Sequence, residues 1–190
     1  MEKLAEKIKN SLCRNNPALT IEQGETIKYG LECALNEVSK TAVYLILFSL
    51  LSLTGHFLIA MVFFCISRAF AGGYHAETFL MCFFVTFILL SIGIFTGSQF
   101  DMPFAARIFL QLTSIVLAWV YAPVDHPNKP IISIVRRKRF KYLSVIVFTF
   151  LACITFLLEE RLATTAVVIL FMEALSLPVG QIAKRRRISV

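Results

Sequence analysis

The chain reads as an all-α, polytopic membrane protein with about six membrane segments, the first two short, preceded by N-terminal amphipathic helices. Three observations predict this. Of its 190 residues, 57% are hydrophobic and 16% charged, with a mean hydropathy of +0.74, which is more apolar than a soluble domain of this size. Several uncharged runs approach the ~20 residues that cross a bilayer as helix. Lys and Arg gather between those runs rather than within them. A single membrane domain is expected over 1–190: cytoplasmic-face amphipathic helices over 1–40, membrane segments over 41–182 and a basic tail over 183–190.

The polar first 40 residues carry no signal-peptide pattern. Leu4, Ile8 and Leu12 recur at helical spacing among lysines. After Asn15-Asn16-Pro17 a second helix can start at Thr20, with Gln23 completing a capping box. Ile27, Leu31, Leu35 and Val38 then line one face, so both helices suit a membrane surface as well as ordinary packing. Thr41 to Ile66 is apolar but interrupted by Thr54-Gly55-His56, and is either one long span or a hairpin of two short ones. Further spans are expected over 78–96, 103–122, 142–158 and 162–182, the last broken late by Pro178 and Gly180. Pro123 to Arg139 is a polar loop with three prolines and a basic end.

Charge decides between the two forms of the 41–66 segment. With the N-terminus, the 67–77 segment, the 123–141 loop and the C-terminus on one side, that side holds seventeen of the nineteen Lys and Arg, leaving only Arg107 and Arg161 opposite. The basic side is then cytoplasmic, with both termini inside. This requires a hairpin turning near Gly55, whose arms of roughly 13 residues span about 20 Å, short of the ~30 Å hydrocarbon core, so local thinning is implied. The net charge of +7 fits anionic headgroups of the lipid bilayer, and no nucleic acid is implied. Five scattered cysteines, with no C-x-x-C pair, argue against a disulfide framework or a zinc ribbon.

The chemistry-bearing stretch is Arg68-Ala-Phe-Ala-Gly-Gly-Tyr-His75, with Cys82 seven residues further on. Thr78 can cap the following span, which puts Cys82 in or just beyond its first turn, where a helix N-terminus and a nearby imidazolium favour a nucleophilic thiolate. On one straight helix His75 and Cys82 would stand about 10.5 Å apart along the axis. A working pair therefore needs His75 off the helix, on a segment that Gly72-Gly73 lets fold back. An oxyanion can be held by backbone N–H groups near Cys82 or by Arg68, whose other reading is a cytoplasmic topology charge. Glu173 is an intramembrane carboxylate that can orient His75, pair with Arg68 or serve as a packing residue. Asp125 and Glu77 are further candidates for a third catalytic group. His75-Ala-Glu77 is half of a zinc-deaminase signature without its cysteines. His56 and His126 look incidental, and Arg107 can snorkel outward. Arg136-Arg137-Lys138-Arg139 suits headgroups or an acidic peptide. A proton-coupled transporter using Glu173 and His75, and a non-enzymatic scaffold, are the competing readings.

Arg-x4-Gly-Tyr-His-x6-Cys from Arg68 to Cys82, Tyr-Ala-Pro-Val-Asp-x-Pro-Asn-Lys-Pro from Tyr121 to Pro130 with its basic tail, and Tyr29-Gly30-Leu31-Glu32 together carry a resemblance. The chain resembles, over nearly its whole length, the accessory gene regulator B (AgrB) family, the membrane endopeptidases of peptide quorum sensing in Gram-positive bacteria. The resemblance implies a cysteine-type endopeptidase of the bacterial cell membrane acting on an AgrD-like precursor peptide. It implies Cys82 as nucleophile and His75 as base, with Arg68 and Gly73 matching the family's arginine and glycine. A thioester on Cys82 would be closed by a peptide side chain into a thiolactone or lactone. An acidic precursor tail could meet Lys129 and Arg136 to Arg139. A homodimer is implied, and no cofactor or metal.

Overall fold

A computed structural model describes residues 2–16, 19–74, 78–124 and 133–188. Among the described residues seven α-helices run in order: α1 (Glu2–Asn15), α2 (Ile21–Leu50), α3 (Thr54–Ala71), α4 (Phe79–Gln99), α5 (Phe104–Tyr121), α6 (Ile134–Ile154) and α7 (Glu160–Ile188), with a 3-10 turn at Thr155–Leu157 before α7. Six of them, α2 to α7, are long and apolar enough to cross a membrane, so this is a multi-pass membrane protein. The chain forms two compact units, Met1–Leu50 and Leu51–Val190.

In the first unit α1 and α2 pair antiparallel. Lys9 bridges Glu6 at 2.7 Å and Glu25 at 3.1 Å, and Lys28 reaches Glu6 at 2.7 Å. Cys13 lies so close to Gly24 that a Cβ there would stand 3.3 Å from its Sγ. The hydrogen bonds from Lys28 and then Lys9 hold the Glu6 carboxyl down at about 2, from an ordinary 4.5. A depressed carboxylate pKa supports the pairing above the ordinary value, and that support goes as pH falls through the folded one. Titration of the Glu6 side-chain carbon by NMR should give a midpoint near 2, whereas a midpoint near 4.5 would show that the pairs with Lys28 and Lys9 do not hold.

The capping box forms as its sequence predicts. Thr20 N–H donates to Gln23 Oε1 at 2.9 Å, and Gln23 N–H to Thr20 Oγ1 at 3.2 Å. The helix then runs for 30 residues without a break, so the second amphipathic helix and the first span are one element. No Pro or Gly separates them, and once nucleated a helix adds each further turn at little cost. The helix break falls at Leu51–Leu53, with Ser52 in the left-handed region at φ 59°, not at Gly55, which lies inside the first turn of α3. The first two spans are therefore not short. At 30 and 18 residues they measure about 45 and 27 Å, so both are longer than the roughly 20 Å arms the sequence implied.

In the second unit α7 is the interior helix. Of its span 56% is buried, against 22–33% for α3 to α6. It packs on α3, α4 and α5, while α6 closes the ring between α3 and α5. Small residues permit the closest crossing: Gly93-Ile-Phe-Thr-Gly97 of α4 lies directly on α7, where a Cβ at Gly97 would stand 2.0 Å from Thr165 Oγ1 and 2.7 Å from its backbone nitrogen. Gly97→Val should therefore force α4 off α7 and destabilise the bundle by about 1–3 kcal/mol, read as a lower melting temperature in detergent. Gly30→Ala, which meets nothing within 4 Å, is the neutral comparison. The α7 helix is not broken at Pro178 and Gly180 but continues to Ile188. Packing on several neighbours holds it through the proline.

At the end where α7 begins, Arg107 is buried rather than snorkelling free, and its guanidinium meets Glu160. His56 is a packing residue there, 2.7 Å from Thr165 Oγ1. His126 lies outside the described residues.

Candidate functional site

The opposite end of the bundle brings together Arg68, Cys82 and Glu173 among the residues singled out by sequence. Arg68 sits in the last turn of α3. Its guanidinium lies over the Phe64 ring one turn back, 5.1 Å from the centroid. One nitrogen donates to Glu173 Oε1 at 2.8 Å, and a second to the Tyr74 carbonyl. Glu173 of α7 is 1% exposed, and its other oxygen accepts from Ser176 Oγ at 3.0 Å. Of the three roles open to Glu173, pairing with Arg68 is the one observed. Removing either partner alone would strand a charge away from water, at a cost on the order of 3–5 kcal/mol.

The two glycines end α3 and turn the chain across the bundle. Gly72 adopts φ 75° and bridges Val124 as a two-residue parallel contact, with Val124 N–H donating to Ala71 O at 2.9 Å. A Cβ on Gly72 would stand 1.9 Å from Val124 O. Gly73, at φ 148°, passes over the ion pair: its Cβ would meet Ser176 Oγ at 2.7 Å and Glu173 Oε2 at 3.3 Å. Gly180 of α7 supports the same crossing, since a Cβ there would lie 3.0 Å from both Gly73 and Val124. Gln181 Nε2 ties the end of α5 to α7 through Tyr121 O at 2.9 Å.

Thr78 has extended backbone and caps α4, its Oγ1 accepting from Met81 N–H at 3.3 Å. Cys82 follows as the first residue past the cap's turn, its N–H donating to Thr78 O at 3.0 Å. It is half-buried and faces a cleft of about 320 Å³, counted to its open mouth, whose walls include Thr86 and Leu89 of α4, Phe64 and Arg68 of α3, and Ser176 of α7. Cys82, Arg68 and the Glu173–Ser176 pair thus share one site. Of the donors proposed for an oxyanion, the Met81 and Cys82 amides are engaged by Thr78, and two of the five N–H bonds of Arg68 go to Glu173 and Tyr74.

His75, Glu77, Asp125 and Lys129 lie outside the described residues. α3 ends at Ala71 and α4 begins at Phe79, so no single helix joins the two flanks of His75. Arg136 to Arg139 are exposed on the first turns of α6, capped by Ser133, and among the described residues none of them lines the cleft. Sequence reasoning missed Ser176, Gly180 and the Gly93/Gly97 contact. Of these only the last had a signal, the G-x-x-x-G spacing within an apolar span.

Comparison with known proteins identifies the family. A family model described as accessory gene regulator B matches residues 2–177. The chain is 28% identical over 152 residues to accessory gene regulator protein B of Staphylococcus aureus (strain Newman), covering 80% of this chain and 79% of that one. It is 29% identical over 153 residues to putative AgrB-like protein 2 of Clostridium perfringens (77% and 69%). It is 28% identical over 161 residues to a putative AgrB-like protein of Lactiplantibacillus plantarum (84% and 80%). No solved structure matches. With the family model spanning both the Arg68–Cys82 stretch and the helix that brings Glu173 to it, the chain belongs to the accessory gene regulator B family.

Proposed function

We propose that the protein is a membrane-embedded cysteine endopeptidase that cleaves an AgrD-like quorum-sensing precursor near its C-terminal part and closes the product into a thiolactone or lactone. The observation that carries this reading is the position of Cys82, in the first turns of a capped helix and in a cleft shared with Arg68, after a helix break between Ala71 and Phe79. The Cys82 sulfur attacks the scissile carbonyl, His75 takes the thiol proton and returns it to the departing amine, and the C–N bond breaks to leave an acyl thioester on Cys82. A thiol or hydroxyl of the bound peptide then attacks that thioester. Its proton passes to His75 and on to the released Cys82. A thioester keeps its activation for ring closure only where water is kept out, and the partly apolar cleft favours that.

The segments that hold seventeen of the nineteen Lys and Arg face the cytoplasm in this reading, as do both termini. An acidic precursor tail meets Lys129 and Arg136 to Arg139. Four cations in the opening turns of α6 oppose its macrodipole, and an anionic partner relieves that conflict. The protein acts in the lipid bilayer as a homodimer. A proton-carrying role for Glu173 is the poorer account, because both its oxygens are engaged. Incubation of purified protein with the short peptide encoded beside it, followed by mass spectrometry, should find the precursor's N-terminal part as an adduct on Cys82. His75→Ala should abolish it. No adduct, or an adduct on another cysteine, overturns the reading.

A further inference from the structure

Arg68 is a two-pronged fork with different targets. One nitrogen is fixed on Glu173 and the other grips the carbonyl of Tyr74. A guanidinium is planar, so anchoring one prong fixes the direction of the other. Glu173 is itself held from its far oxygen by Ser176, and the interior helix α7 carries both. Gly73 lies flat against this group, with no room for a side chain. The gripped carbonyl immediately precedes residue 75, and the chain is fixed again at Thr78, where the side chain caps α4. Only residues 75–77 lie between the two anchors.

We propose that Glu173 and Ser176 are positioning residues. Through the Arg68 fork and the Tyr74 carbonyl, they set where residue 75 stands relative to Cys82. The inference rests on His75 and Cys82 being the reacting pair. The ion pair is then more than a staple between α3 and α7. It transmits the placement of an interior helix to a segment at the bundle's end, and a shift of about 1 Å in such a pair can cost about 100-fold in rate.

Crosslinking tests the placement without requiring activity. In a chain with Cys13, Cys33, Cys65 and Cys153 replaced by serine, His75→Cys should form a disulfide with Cys82 rapidly under mild oxidation in membranes. Adding Arg68→Lys, which keeps the charge but loses the fork, or Glu173→Gln should slow it at least tenfold. In the otherwise native chain the same two changes should lower the rate of Cys82 acylation by about 100-fold with KM for the precursor unchanged. Ser176→Ala, which leaves the ion pair in place, should lower it about tenfold. Melting in detergent identifies any variant that fails to fold, and Ser176→Ala then carries the test. Crosslinking that is absent in the parent, or equally fast in all variants, overturns the proposal, as does undiminished acylation. A native chain that never acylates while the crosslinking pattern holds sinks the peptidase reading and leaves the clamp standing.

Discussion

Cys82→Ala should insert and fold like the native chain yet cleave its precursor at least a thousandfold more slowly, roughly the loss seen when a covalent nucleophile is removed and only positioning remains. The fold has no reason to suffer. Cys82 is half-buried on α4, one turn beyond a cap supplied by Thr78 rather than by the cysteine, and alanine is the better helix former. Electrophoresis of precursor and product from membranes carrying each protein, normalised to the amount inserted, measures the effect. Retained cleavage would exclude the thioester. The other cysteines offer an internal comparison: Cys33, Cys65 and Cys153 are exposed on helix faces, and their replacement by serine should leave the rate within about twofold, as expected of surface positions away from the chemistry.

Gly72→Ala should produce the second largest loss, and for a different reason. At φ 75° an L side chain costs about 1–2 kcal/mol in backbone strain alone. The new Cβ would also stand 1.9 Å from Val124 O, a backbone atom that cannot rotate away. Either the 71–73 and 122–124 segments separate, or Gly72 leaves the left-handed region. Both outcomes move the chain that leads into residue 75. Acylation of Cys82 should fall at least 100-fold, while α4, capped independently at Thr78, stays formed. Circular dichroism together with the acyl-adduct assay separates the two: helix content unchanged, adduct nearly lost. An adduct yield close to native would mean that the 72–124 crossing does not govern the site.

The sequence made several elements legible. The capping box at Thr20 and Gln23 and the cap at Thr78 form as their spacing predicts, and the helix break at Gly72-Gly73 falls where two glycines permit it. What misled was the 41–66 region. Gly55 looked like the turn, but an isolated glycine in a helical pattern is tolerated, and the helix break occurs around Ser52, a residue with no strong turn signature. Pro178 likewise looked like an end, and α7 passes through it.

The number of apolar helices, the caps at Thr20 and Thr78 and the short stretch that carries Arg68, Gly73, His75 and Cys82 could all be read from the chain. Those features are written within a few neighbouring residues, because helix hydrogen bonds and caps reach no further than about one turn. It takes the packed bundle to show that α7 is the interior helix, that Glu173 pairs with Arg68 across 105 residues of chain, and that Ser176 and Gly180 support the crossing of the 72–74 and 122–124 segments. A span bounded by lipid is apolar on every face. It therefore lacks the amphipathic periodicity that would tell which side meets a neighbour, and small residues and rare polar groups reveal their partners only once the helices have packed.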